Sequence, residues 1–102
     1  MARLVVMYKT PQDASAFDRY YRETHIPVAK KIPGLRRYEI SRGAVATPAG
    51  PSAYHLVAIL HFDDLQAIQA AFASPEGLAA AKDVQTFATG GVEMILFDTE
   101  EV

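Results

Sequence analysis

Three short segments of this chain are apolar on both of their alternating positions, and a strand with that pattern has to be covered on both faces. Arg3 to Lys9 carries Leu4, Val5, Val6, Met7 and Tyr8 and is stopped by Thr10-Pro11; residues 53 to 62 read AYHLVAILHF, and residues 92 to 97 read VEMILF. A fourth candidate strand, LRRYEISR at 35 to 42, instead alternates in polarity. In residues 53 to 62 the alternation puts His55 and His61 on one face and Tyr54, Leu56 and Leu60 on the other.

Helices are expected between these strands. Asp13 is placed to cap a helix whose Phe17, Tyr20, Tyr21, Thr24 and His25 recur at spacings of three and four. Pro27 biases Ile26 away from the helical region, so this helix should end near His25, with Val28 to Ile32 forming a short second turn behind Pro27. Pro33-Gly34 turns the chain, and GAVATPAGPS at 43 to 52 reads as a surface loop. Asp63 or Asp64 can cap a helix bearing Leu65, Ile68 and Phe72, and Ser74-Pro75 restarts it. The second piece shows Ala80, Val84, Phe87 and Ala88 on one face before Gly90-Gly91 ends it, and 8 of the 22 residues from Ala67 to Ala88 are alanine, the best helix former.

The order β-α-β, loop, β-α-β predicts an α+β chain with a ferredoxin-like βαββαβ topology and a four-stranded antiparallel sheet. At 102 residues it is expected to be a single domain over 1–102. Two helices can cover only one face of the sheet, yet three of its strands read apolar on both, so the other face needs a second apolar surface. A homodimer that stacks two sheets into a dimeric α/β barrel meets that need, and its interior is the expected site for a small molecule. Composition agrees with a packed chain: 50% of residues are hydrophobic and 22% charged, which excludes intrinsic disorder. A net charge of -2 gives no electrostatic reason to bind nucleic acid or an anionic membrane. There is no cysteine, hence no disulfide framework, thiolate nucleophile or cysteine-ligated metal. The opening apolar run is too short for a signal core or a membrane span, so a soluble, cytoplasmic protein is expected.

The strong catalytic motifs are absent from the sequence: it has no phosphate loop, nucleophile elbow or HExxH helix. Three histidines remain. His25 sits on the apolar stripe at the end of the first helix, where such a side chain borders a cavity or else caps carbonyls in a turn. The helix C-terminus favours its charged form and burial its neutral one, leaving its charge open. His55 and His61, six residues apart, are about 20 Å from one another along an extended strand, too far to share a metal ion. His61 reads as a surface residue at a strand end. Tyr38 is a strand phenol, able to bond a ligand or simply to pack. Asp83, four residues before Phe87, reads as a solvated helix residue. Lys30, Lys31, Arg36 and Arg37 form a basic group that reads as a solvated face.

HIPVAKKIPGLRRYEISRG at 25 to 43, FDRYYRETH before it and SPEGLAAAKDVQTFATGG at 74 to 91 together resemble the EthD family of dimeric α/β-barrel proteins over nearly the whole chain. That family is named for bacterial degradation of ethyl tert-butyl ether, where a member accompanies a cytochrome P450 system. Its wider superfamily includes muconolactone-type isomerases, polyketide cyclases and cofactor-free monooxygenases. The resemblance implies a homodimer that binds a small apolar or ring-shaped metabolite and isomerises, cyclises or oxidises it without a metal or cofactor. By position, His25 would be the acid-base or anchoring group, Tyr38 a phenol that orients the ligand, and Asp83 a polar partner from the last helix. The competing expectation is a non-catalytic accessory or ligand-binding protein of a degradative pathway. Haem binding, known elsewhere in the superfamily, is a third.

Overall fold

The computed structural model describes all 102 residues. Along the chain, β1 (Ala2–Lys9) leads into α1 (Ala14–Tyr20), a widened π-helical turn (Tyr21–His25) and α2 (Ile26–Ala29). There follow β2 (Arg37–Ile40), a small hairpin of β3 (Ala46–Thr47) and β4 (Gly50–Pro51), β5 (Tyr54–Phe62), α3 (Leu65–Ala73), α4 (Pro75–Phe87) and β6 (Val92–Asp98). Four strands form one antiparallel sheet of order β2-β5-β1-β6, the ferredoxin-like arrangement. No helix is long and apolar enough to cross a membrane.

Register fixes which residues share a face. Leu4 pairs with Leu60 and Leu96, Val6 with Ala58 and Met94, and Tyr38 with Leu60. Of these even-numbered positions on the helix side, Leu4, Val6, Ala58 and Leu60 join Phe17, Tyr21, Ile68, Val84 and Phe87 in the core, while Met94 and Leu96 on the edge strand stay about half exposed. Odd-numbered positions point away: Val5 pairs with Ile59 and Ile95, and Arg3 with Phe97. On this open face Val5, Met7, Val57 and Ile59 are half-buried, while Ile95 and Phe97 are 50% and 41% exposed.

The predicted caps form. Asp13 accepts from the Ala16 amide at 3.1 Å, Asp64 from Ala67 at 2.8 Å and Ser74 from Gly77 at 3.0 Å. Gly77 is required where the chain restarts, because a Cβ there would stand 1.9 Å from the Ala71 carbonyl oxygen.

Several sequence expectations change. The first helix does not end near His25 but runs on to Ala29 through the widened turn, in which the Ile26 amide donates to the Tyr21 carbonyl. Pro27 has no N–H to give to the carbonyl four residues back and its ring would press on that carbonyl, so widening the turn lets the helix pass a proline that would otherwise break it. The second strand shortens from 35–42 to Arg37–Ile40, and the loop at 43–52 contains a hairpin held by Thr47 Oγ1 donating to the Gly50 carbonyl at 2.9 Å.

The two strand histidines do not share a face. A register shift between Tyr8 and Lys9 pairs Lys9 with Tyr54 and leaves His55 over as an extra residue. His55 therefore turns to α1, edge-on to Phe17 with ring centroids 5.1 Å apart and 2.7 Å from Asp18 Oδ1. His61 remains on the open face, 2.6 Å from Glu39 Oε1 and only 9% exposed, not the surface residue expected. Of the basic group, Lys30, Lys31 and Arg37 are solvated as expected, while Arg36 makes a two-pronged pair with Asp63 at 2.9 and 3.1 Å.

Candidate active site

A cavity of about 360 Å³ lies between the sheet and the helices, and 16 of its 18 lining residues are hydrophobic. The expectation put the enclosed space between two stacked sheets; this cavity is on the opposite side of the sheet, inside one chain. Its origin is legible in side-chain size. Ala29, Ala58, Ala80 and Ala81 line it, and four methyl groups cannot fill a gap that Leu or Phe would close.

His25 reaches the cavity from the widened turn. It is 5% exposed, its ring 4.7 Å from that of Phe87 and 5.1 Å from that of Tyr21. Its Nδ1 is 2.9 Å from Asp83 Oδ2 on α4. Asp83 is itself held from behind, where Tyr20 Oη donates to its Oδ1 at 2.5 Å. A carboxylate only accepts, so Nδ1 carries the proton, and Nε2 presents a lone pair with no partner in the chain. No fully buried side-chain polar atom lacks a partner, so Nε2 is not sealed in but open at the cavity wall that His25 lines.

Burial holds the His25 imidazole below its ordinary pKa, and the bond and charge of Asp83 only partly oppose it. The ring is therefore neutral at pH 7, which resolves the charge that the sequence left open.

Tyr38 lines the same cavity from the sheet, but it bonds to Tyr21, not His25, with the two phenol oxygens 2.5 Å apart. Tyr8 lies beside them, its ring centroid 5.6 Å from that of Tyr21. Burial is the main cause raising the pKa of all three phenols, so each stays protonated.

The structure thus joins two of the three residues named from sequence, His25 and Asp83, and places Tyr38 on the same cavity wall. Asp83 does not line the cavity; it is a partly buried group behind His25, not a solvated helix residue. Sequence reasoning assigned no role to Tyr20, Tyr21 or Tyr8. Tyr21 was detectable, being four residues before His25 on one helical stripe; the bond from Tyr20 to Asp83 spans 63 residues and has no local signal. His55 and His61 lie outside this cavity. No cluster of three or more His, Asp or Glu side chains is arranged to hold a metal ion.

The architecture is shared with known proteins. An EthD family protein from Bacillus halodurans superposes with a TM-score of 0.89 at 35% identity, covering 98% of this chain and 99% of that one. SnoaB, a cofactor-independent oxygenase from Streptomyces nogalater, shares the fold with a TM-score of 0.67 at 20% identity, over 99% of this chain and 94% of that one. In sequence, the chain is 41% identical over its whole length to 98% of an uncharacterised 11.0 kDa protein from the thcB-thcC intergenic region of Rhodococcus erythropolis. Residues 9–91 match the EthD domain, a span that includes His25, Tyr38 and Asp83, and with these likenesses it establishes that the chain belongs to the EthD family.

Proposed function

We propose that this protein binds a small, mainly apolar, ring-shaped metabolite in the cavity and moves a proton on it without a metal or bound cofactor, as an isomerase, cyclase or oxygenase of small-molecule degradation. The observation that carries this reading is the unengaged Nε2 of a neutral His25 on the wall of an apolar cavity, with Asp83 behind the ring. Nε2 takes a proton from a carbon next to a carbonyl, or from a phenol; Asp83 stabilises the imidazolium so formed; and the Tyr21–Tyr38 pair donates to the oxygen that gains charge. Returning the proton to another atom completes an isomerisation; in a cyclisation the deprotonated carbon instead bonds to a carbonyl carbon of the same substrate, whose oxygen takes up a proton, and in an oxygenation the deprotonated ring is oxidised by molecular oxygen, which is the oxidant. SnoaB, which shares the fold, is a cofactor-independent oxygenase. An interior filled by side chains would favour a purely accessory role; this one is open.

Proton abstraction is testable before the substrate is known. With a ring ketone such as 2-tetralone in D2O, the protein is expected to speed deuterium incorporation next to the carbonyl above the buffer rate, followed by NMR. A rate no higher than with heat-denatured protein across a panel of ring ketones removes the catalytic reading.

We further infer that the protein works as a homodimer through the open face of the sheet. Exposed Ile95 and Phe97 continue an apolar face that runs across half-buried Val5, Met7, Val57 and Ile59, and contiguous apolar exposure of this kind marks an interface. A Bacteroides fragilis protein that shares only the fold, at 17% identity with a TM-score of 0.66, is dimeric. In sedimentation analysis the chain should run as a dimer and Phe97→Lys as a folded monomer. A monomeric parent chain, or a variant still dimeric, contradicts this assembly.

A further inference from the structure

We infer that the cavity selects uncharged ring compounds bearing a carbonyl or hydroxyl oxygen and rejects their carboxylate counterparts. This rests on the reading of the cavity as a ligand site and narrows what it takes. Its polar wall groups are His25, Gln69 and the phenols of Tyr8, Tyr21 and Tyr38, and no lysine or arginine lines it. The formal charge closest to His25 is negative: Asp83 Oδ2, 2.9 Å from Nδ1.

A carboxylate entering this space would leave water for an apolar wall without a countercharge, and the formal charge nearest to the site, Asp83 behind the His25 ring, would repel it. Burying an unpaired charge is among the costliest things a binding site can do. A neutral oxygen meets the opposite situation. The hydroxyls of Tyr8, Tyr21 and Tyr38 carry three protons, and a chain of bonds through Tyr21 uses two of them, so one is available to a ligand oxygen. Nε2 is the complementary acceptor, suited to a ligand hydroxyl or an acidic C–H. The wall therefore offers one donor and one acceptor set in hydrocarbon, the pattern of an enol, a phenol or a ring ketone. A volume of about 360 Å³, at the small end of ligand sites, fits compounds of one to three rings.

The test uses two matched pairs, 2-naphthol with 2-naphthoate and acetophenone with benzoate, titrated at pH 7.5 by calorimetry and ligand-observed NMR. The neutral member of each pair should bind at least tenfold more tightly than its carboxylate, and Asp83→Asn should narrow that gap. Equal binding within the pairs, or tighter binding of the carboxylates, overturns the charge rule while leaving the cavity a ligand site. Binding of none of the four probes overturns the cavity reading itself, and the charge rule with it.

Discussion

His25→Ala is expected to lower the rate of protein-dependent deuterium exchange by about 10²- to 10⁴-fold, the range that a positioned acid-base group supplies. The size follows from the wall chemistry. Nε2 of His25 is the one unengaged base there; the phenols have pKa values raised by burial and hold their protons, and Asp83 does not reach the cavity. Nothing is left to accept the proton when the imidazole goes. Alanine also leaves a void beside Phe87 and Tyr21, whose rings pack on His25, so loss of activity alone would not separate catalysis from damage. His25→Gln fills most of that space without supplying a base and should be as inactive as alanine. Both variants are therefore read alongside circular dichroism and thermal melting. Parental exchange in either folded variant excludes His25 as the base.

How much of this was legible in the sequence depended on the range of each interaction. Caps at Asp13, Asp64 and Ser74 are local, and they form where the residues predict. The topology followed from strands apolar on both positions separated by segments of helical length. Errors arose where a tertiary contact outweighs a local rule. Pro27 should end a helix, yet a widened turn carries the chain past it. That same turn brings Tyr21 and His25 into ring contact, so the feature that spoiled the helix boundary also builds the site. Alternation placed His55 and His61 together, and one extra residue in β5 separated them, because a bulge shifts parity without leaving a mark in composition. Of the site, His25 stood out because it is the one histidine on an apolar helical stripe, although the helix end expected beside it lies four residues further on. Asp83 did not, since its importance comes from a fold that brings residues 25, 83 and 20 together.

Asp83→Asn should lower the plateau rate of exchange by roughly 10²-fold or more, and it should move the acid limb of the pH–rate profile to lower pH. The first effect has two sources. An amide carries no charge to stabilise the imidazolium, and it can donate as well as accept, so the tautomer with its lone pair on Nε2 is no longer enforced; a wrong tautomer behind a catalytic histidine costs up to about 10⁴ elsewhere. The second effect distinguishes a positioning role from general damage. Burial lowers the His25 pKa, while the bond and the charge of Asp83 raise it; without them burial acts unopposed and the pKa falls further. Because the neutral ring is the active form, the rate then stays flat to a lower pH before declining. Stability has the same sign. The folded-state pKa lies below the free imidazole value of about 6.5, so the unfolded chain binds more protons in that window and stability falls as pH drops through it. The His25 contribution to that fall starts near the same pH in both proteins but continues to lower pH in Asp83→Asn. An acid limb that stays in place or moves upward, in a variant of parental fold, would show that Asp83 does not act on His25 electrostatically.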